Sequence, residues 1–298
     1  MIKDMKSLIA ILLVMSLSAA TAQDKQSKRM PENVAIWAVQ ARYIDPIVRV
    51  HYGGDQRFKT HPSLNDPLGR NPTKEDYKRL ENLFLNPGTL ISVFSGGEKL
   101  GTATVREGGF LDQDGGCMDL HTGITYNGPG NPLLAANTTT EIQGHISMRR
   151  VATSAETSIL RNLAIEWMTE YGLDRQLLQQ ATVGQVTSTI LRKEAGYALI
   201  GRFDVISKRS IHRLFAVAEK VQEQYTLTLA NLDIQCDVED GTDRTEWEYI
   251  DQLDVDNNGI DELITSSSHY ESWNYAVWRF SPKGNYWYKA YEGGGGGC

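Results

Sequence analysis

The stretch from residue 183 to residue 291 constrains the fold more than any other feature of the chain. It is a series of short segments rich in β-branched and aromatic residues, separated by brief runs of turn-forming residues. Successive short strands joined by short turns are typical of an antiparallel meander. We therefore predict an antiparallel β region with strands at 183–190, 198–206, 211–218, 225–229, 247–253, 262–267, 274–280 and 286–291.

The first half of the chain mixes helical and extended patterns. One helix is predicted to begin after an N-cap at Thr73, and a longer one begins at Ser154 and ends at the glycine cap Gly172. Extended segments accompany these helices at 34–39, 47–52, 89–94 and 99–106. The predicted fold class is therefore α+β, with a mixed helix and strand region at 23–182 and an antiparallel β region at 183–292. A single α+β domain that includes both regions is the alternative.

Composition and charge exclude several classes of function. Apolar residues make up 41% of the chain and charged residues 22%, as in a packed globular protein rather than a disordered one. The net charge is −7, so the chain lacks the basic surface that binds nucleic acid. An anionic membrane surface is excluded as a partner for the same reason.

The N-terminus has the pattern of a secretory signal peptide at 1–22. Lys3 and Lys6 precede an apolar run at 8–17, and a small-x-small cleavage site ends at Ala22. The apolar run is about ten residues long, too short for a bilayer core that needs roughly 20. No later segment has the pattern of a membrane span. We therefore expect an exported protein, periplasmic or extracellular.

The most specific chemistry lies between two predicted strands, in the stretch 254–264. Side chains that carry oxygen occupy every second position before a glycine and an acidic pair. A hard divalent cation takes about six to eight oxygen ligands, many of them carboxylates. Gly259 permits a sharp turn that directs the carbonyl of Ile260 inward, and Glu262 closes the shell directly or through water. The stretch predicts a calcium site formed by Asp254, Asp256, Asn258, Ile260 and Glu262.

The stretch is not an EF-hand, because an EF-hand has a bidentate Glu at position 12 and this stretch has Thr265 there. Its flanks are also β-forming. The stretch instead resembles the Asp-x-Asp-x-Asp-Gly-x-x-Asp loop between strands of FG-GAP and VCBS-type repeats in exported proteins. The Asn at position 5 and the Glu at position 9 depart from that motif. Those families build β-propellers from several copies, and a single copy does not imply a propeller. The residues that fall on the motif are Asp254, Asp256, Asn258, Gly259 and Glu262.

Three alternatives stay open beside this prediction. A plain Asp/Asn-Gly turn, held by its own side-chain hydrogen bonds, accounts for the same stretch without an ion. The glycine-rich stretch 107–132 is long enough for a functional loop and carries Cys117 and His121, but acidic neighbours disfavour a thiolate there. Aromatic residues are dense at 270–291, where cross-strand pairing is the favoured interpretation and a sugar-binding platform the alternative.

The chain has three cysteines, Cys117, Cys236 and Cys298. Export permits a disulfide, and an odd number leaves one thiol over. We favour a pair between Cys236 and Cys298, because both lie in the C-terminal part. The glycine-rich tail at 293–298 is predicted to be a flexible and natural tether for Cys298.

No catalytic motif is present in the sequence. These features predict a non-enzymatic exported protein with a structural calcium site and a binding or scaffolding role. Its ligand is expected to be a protein or a carbohydrate. A secreted hydrolase that uses the stretch 107–132 and a calcium-dependent carbohydrate-binding protein are the alternatives.

Overall fold

The computed structural model describes residues 34–51, 57–59, 81–106, 110–112, 119–137, 142–207, 210–236, 246–268 and 272–297. The predicted signal peptide at 1–22 lies outside these residues, as do Asp114, Cys117 and Cys298. Two α-helices occur in the described part, α1 (Ser154–Glu170) and α2 (Arg175–Leu178). No helix among these residues is both long enough and apolar enough to cross a membrane.

The strands of the first half are two to nine residues long. They are β1 (Val34–Gln40), β2 (Tyr43–His51), β3 (Arg57–Lys59), β4 (Leu90–Ser95), β5 (Glu98–Val105), β6 (Phe110–Asp112), β7 (Asp119–Thr125), β8 (Leu134–Asn137) and β9 (Arg150–Val151). The strands of the second half are longer. They are β10 (Thr182–Val183), β11 (Thr187–Ile190), β12 (Tyr197–Ile206), β13 (Ser210–Val221), β14 (Gln224–Cys236), β15 (Glu246–Leu253), β16 (Glu262–Ser268), β17 (Ser272–Ser281) and β18 (Tyr286–Gly297).

Strand pairing shows that the predicted α+β class is wrong, because the described chain is mainly antiparallel β-sheet. Strands β2, β1, β8, β4, β5 and β7 pair in that order, and the pair Tyr43–Gly123 between β2 and β7 closes them into a barrel. The sequence pattern missed this barrel because β6 and β7 lie in the stretch 107–132. Glycine is depleted in strand interiors and interrupts the period-2 pattern there.

The helix predicted to begin after Thr73 lies mostly outside the described residues, and its described end, Glu81–Leu85, forms a single π-helical turn. Phe84 and Leu85 pack inside the barrel, and the ring of Trp37 meets Phe84 edge-on at 6.0 Å between centroids. Phe84, one of the residues that predicted a helical face, therefore lies in the barrel interior.

The strands β15 to β18 form a second layer, a four-stranded meander that we call the middle sheet. Ile264 and Val277 on one face pack against the outer wall of the barrel. Leu263 and Trp278 on the opposite face pack against a third layer. Successive strand residues point to opposite faces, so the middle sheet is buried on both sides. It gives the loops at its ends a rigid base.

The third layer, which we call the outer sheet, contains β9 to β14, and α1 covers its far face. Thr153 caps α1 with a capping box, in which its side chain and that of Glu156 each accept a backbone N–H of the other. Leu160, Ala164 and Met168 form the buried stripe of the helix. The helix predicted at Ser154 is confirmed, with its cap one residue earlier.

The glycine-rich tail also differs from its prediction as a flexible tether. Residues 293–297 continue β18, and Gly296 pairs with Trp273 of β17. Backbone N–H and C=O groups form the ladder of a sheet without help from side chains. The neighbouring strand β17 therefore orders a run that has no side chains to pack.

An irregular segment between β8 and β9, the strap (residues 142–149), crosses from the barrel to the middle sheet. The N–H of His145 donates to the carbonyl of Gly97 in the turn between β4 and β5, at 2.9 Å. The Arg149 guanidinium donates to the buried carboxylate of Asp251 on β15, at 2.7 Å. The strap therefore joins the barrel to the middle sheet beside the loop that follows β15.

Candidate metal centre

The predicted cation loop (residues 254–261) connects β15 to β16, and the pair Leu253–Glu262 closes it at its base. Asn257 and Gly259 adopt left-handed backbone conformations, with φ of 54° and 87°. Glycine takes this conformation at least cost, and asparagine tolerates it better than most other residues. These two positions give the loop the sharp reversal that the sequence predicted.

Asp254 shapes the loop through backbone hydrogen bonds. Its Oδ1 accepts from the N–H of Asn258 at 2.9 Å, and its Oδ2 accepts from the N–H of Gly259 at 2.7 Å. The amide oxygen of Asn258 accepts from the N–H of Ile260 at 2.8 Å. A plain Asp/Asn-Gly turn makes bonds of this kind as well. These bonds explain the shape of the loop and do not by themselves indicate an ion.

Three of the predicted ligands, Asp254, Asp256 and Glu262, bring carboxylates together. One oxygen from each lies within 4.8 Å of the other two. An ion that binds each oxygen at about 2.4 Å needs ligand atoms no farther apart than about 4.8 Å. The three carboxylate oxygens are therefore close enough together for one cation to contact all of them.

The other two predicted ligands have different roles in the structure. Asn258 is exposed, and its side-chain oxygen is engaged by the backbone of the loop. Ile260 forms an isolated antiparallel bridge with Arg192, and its side chain packs against the core between the middle and outer sheets. The converging carboxylates are those at positions 1, 3 and 9 of the stretch, and Asn258 and the carbonyl of Ile260 stay predicted ligands.

Arg279, a basic residue on β17, also contacts the cluster and was not predicted from the sequence. Its guanidinium donates to Asp256 Oδ2 at 2.5 Å and to Glu262 Oε1 at 3.0 Å. Arg279 follows Trp278, which pairs with Leu263 on β16, so the strand register places it beside Glu262. The register of the β16–β17 hairpin is the signal that could have found it.

Burial leaves the charges of this cluster incompletely compensated. Burial, followed by the charge of Asp256, raises the pKa of Glu262 to about 8 despite Arg279. Burial also raises the pKa of Asp254 to about 6. Burial alone would lower the pKa of Arg279, but Glu262 and Asp256 raise it overall. The Arg279 guanidinium therefore does not offset the cost of burying Glu262 and Asp254.

One oxygen of the cluster has no partner among the described residues. Asp256 Oδ1 is buried and accepts no hydrogen bond, while Oδ2 of the same carboxylate is bound by Arg279. The Asp256 side chain is only 8% exposed. A buried anionic oxygen without a donor is costly, and a cation at this point would remove that cost.

The first acid of the acidic pair, Asp261, binds His145 of the strap. His145 Nε2 lies 2.7 Å from Asp261 Oδ2, and Nδ1 lies 3.1 Å from the carbonyl oxygen of Ile146. The hydrogen bond to Asp261 is the main cause that raises the pKa of His145 to about 9. The ring is therefore an imidazolium near neutral pH, with both N–H groups used. It has no lone pair for a metal or for general base catalysis.

Gln252 completes the surroundings of Asp261, because its side-chain amide donates to Asp261 Oδ2 at 2.6 Å. Burial raises the pKa of Asp261, and His145 opposes that effect. A second contact joins the cation loop to the strap, from the N–H of Gln143 to Asn257 Oδ1 at 3.2 Å. The loop, the strap and the barrel turn are thus connected through hydrogen bonds.

A cavity of about 500 Å³ opens between the cation loop, the strap and the chain that follows β11. Ile146 and Met148 of the strap line it, and both are exposed, Ile146 to 78%. Lys193 lies at its rim, and Asp254 belongs to both the cavity and the carboxylate cluster. The cavity and the candidate metal centre are therefore neighbours that share one side chain.

The remaining predicted features are placed as follows. Cys236 ends β14 with an exposed side chain and forms no disulfide with a described residue, and its predicted partner Cys298 lies outside them. Among the aromatic residues at 270–291, Trp278 and Trp287 are buried in the core between the two sheets.

Comparisons with protein-family models, with curated proteins and with solved structures found no significant match to the chain.

Proposed function

We propose that the protein is an exported, non-enzymatic binding or scaffolding protein that holds a calcium ion beside its cation loop. Asp254, Asp256 and Glu262 supply the protein carboxylates. The observation that carries the proposal is the convergence of these three carboxylates, one of which, Asp256, has a buried oxygen with no donor among the described residues. Asp, Glu and carbonyl oxygens are the ligands that calcium prefers.

The ion acts as a structural element in this proposal. It neutralises the carboxylates that Arg279 leaves undercompensated, and it fixes the turn between β15 and β16. The loop forms hydrogen bonds with the strap through Asn257 and Asp261, and the strap forms a hydrogen bond with the barrel. An ordered loop therefore supports the contact between the middle sheet and the barrel. Binding to the folded state alone stabilises it by about 2.7 kcal/mol at a calcium concentration of 100 times Kd.

Thermal unfolding with millimolar calcium or with a chelator tests the proposal. We expect calcium to raise the melting temperature of the wild type and titration calorimetry to show a binding event. Asp256→Asn removes a negative charge at the unpartnered oxygen, so both effects are expected to be lost. Magnesium should stabilise less, because its smaller shell demands stricter geometry.

Glu166→Gln is the matched control, because it removes one charge from an exposed position on α1. It should keep the full calcium shift. A wild-type melting temperature that does not change with calcium would exclude the structural ion. A shift that persists in Asp256→Asn would place the ion elsewhere in the chain, and the plain Asp/Asn-Gly turn would then describe this loop.

A further inference from the structure

The cavity beside the cation loop has a wall of apolar side chains that the fold leaves uncovered. Ile146 is 78% exposed and Met148 is 42% exposed, and Leu191 continues the wall into the core. The strap that carries Ile146 and Met148 is held in place by His145 and Arg149. Its apolar side chains are therefore presented at a fixed position. A volume of about 500 Å³ lies within the usual range for small-molecule sites.

The charged groups around this cavity differ in whether they are free to pair with a ligand. His145 and Asp261 form an ion pair with each other. The Arg192 guanidinium donates to Glu219 at 2.7 Å and lies 3.8 Å from the centre of the Phe280 ring.

Lys193 is exposed and forms no ion pair with the described part of the chain. Its ammonium group is the one positive charge at the rim that the described residues leave uncompensated. The cavity therefore combines an apolar wall with a cation at its edge.

We propose that this cavity binds a small amphipathic anion, such as an aliphatic carboxylate. The aliphatic part packs on Ile146, Met148 and Leu191, and the carboxylate pairs with Lys193 at the rim. Burial of the ligand covers apolar surface that the fold leaves in water, which favours association.

The calcium dependence of this binding rests on the proposed function. Asp254 lines the cavity and belongs to the carboxylate cluster. Its negative charge opposes an anionic ligand until a cation compensates it. Calcium should therefore strengthen binding of the anion by about fivefold, a modest factor because the site is partly exposed to solvent.

Three eight-carbon ligands that differ in charge test the proposal on the full chain. Octanoate, octanol and octylamine are titrated in calcium and in chelator, with binding followed by the methyl resonances of Ile146 and Met148. We expect octanoate to bind most tightly and octylamine most weakly, with the methyl shifts saturating. Failure of octanoate to shift these methyls, or tighter binding of octylamine, overturns the proposal.

Two variants separate the charge from the apolar wall. Lys193→Gln should weaken octanoate by about fivefold and leave octanol unchanged. Ile146→Ser should weaken both ligands by a similar factor, about fivefold. Lys283→Gln, at an exposed lysine outside the cavity, is the control and should change neither. An unchanged octanoate affinity in Lys193→Gln contradicts the assigned role of that lysine.

The outcomes distinguish this inference from the calcium proposal. If octanoate binds equally in calcium and in chelator, the ligand site stands and the calcium link fails. If calcium raises the melting temperature and octanoate does not bind, the ligand site fails and the calcium centre stands.

Discussion

Two buried acidic centres of this molecule differ in how completely the protein satisfies them. Glu219 on β13 is fully buried and accepts three hydrogen bonds, from Arg192 at 2.7 Å, Thr228 at 2.8 Å and Trp287 at 2.9 Å. In the candidate metal centre, Asp256 and Glu262 share one arginine, Asp254 accepts only from backbone N–H groups of the loop, and one oxygen of Asp256 has no donor among the described residues. The number of acids does not decide whether a buried centre needs a cation; the supply of donors does.

The difference follows from where the donors lie. The donors to Glu219 come from a neighbouring strand, from the turn after β11 and from the middle sheet, so core packing fixes them around the carboxylate. The donors to the cation loop come from its own backbone and from one side chain of β17. A short loop cannot direct enough N–H groups at three carboxylates.

Glu219→Gln should give the largest loss of stability, and it should be indifferent to calcium. Removal of one partner from a buried ion pair leaves Arg192 uncompensated, so we expect the free energy of unfolding to fall by about 3 kcal/mol. Urea unfolding measures it in calcium and in chelator, with Glu166→Gln as the charge-matched control. The contrast between the two centres breaks down if calcium restores the lost stability.

Arg279→Gln should have a smaller effect that does depend on calcium. The variant leaves Asp256 and Glu262 without their cation, and we expect the free energy of unfolding in chelator to fall by about 2 kcal/mol. Protonation of Glu262 limits the loss, because burial already raises its pKa. Calcium should recover the loss, so the calcium-induced rise in melting temperature is larger than in the wild type.

Two other results for Arg279→Gln would contradict this expectation. If Arg279→Gln abolishes the calcium shift, the arginine holds the carboxylates in a geometry that the ion requires. If the variant is as stable as the wild type in chelator, Arg279 is not the charge that compensates the cluster. Urea unfolding with and without calcium separates both results from the expected one.

Local patterns in the sequence predicted the parts of the site that are local in the chain. The alternation of oxygen-bearing residues and the position of Gly259 predicted the shape of the loop, because the turn is set by its own backbone. Arg279 and His145 come from distant positions and could not be found this way. Arg279 depends on the register of β16 and β17, and His145 on the course of the strap.

The fold, like the site, was predictable only where it depends on local sequence. Helix α1 carries a complete cap and an apolar stripe, and the strands of the second half alternate clearly, so local propensity and packing agree there. The barrel was missed because its closure joins Tyr43 to Gly123, a contact between distant positions in strands that glycine obscures. Non-local closure has no local pattern that predicts it.

Removal of the ion pair between His145 and Asp261 should give the smallest loss of stability. It tests whether Asp261 belongs to the undercompensated carboxylate cluster. Asp261 has two side-chain donors, His145 and Gln252, and a backbone donor, the N–H of Asp254, so it belongs with Glu219 rather than with its neighbours in the cation loop. Its pairing raises the pKa of His145 from 6.5 to about 9. The stabilisation is therefore complete below about pH 6.5 and is lost as the pH rises through 9.

Thermal unfolding between pH 6 and pH 10 checks this expectation as a difference between wild type and His145→Gln. The difference should shrink as the pH rises and should stay below about 1 kcal/mol, because the His145 ring is partly exposed and solvent screens the pair. His212→Gln is the control: burial lowers the pKa of His212, so its effect belongs below pH 6.5. The pH dependence should be the same in calcium and in chelator. If calcium removes the pH dependence, Asp261 takes part in binding the ion. It then belongs to the candidate metal centre rather than with Glu219.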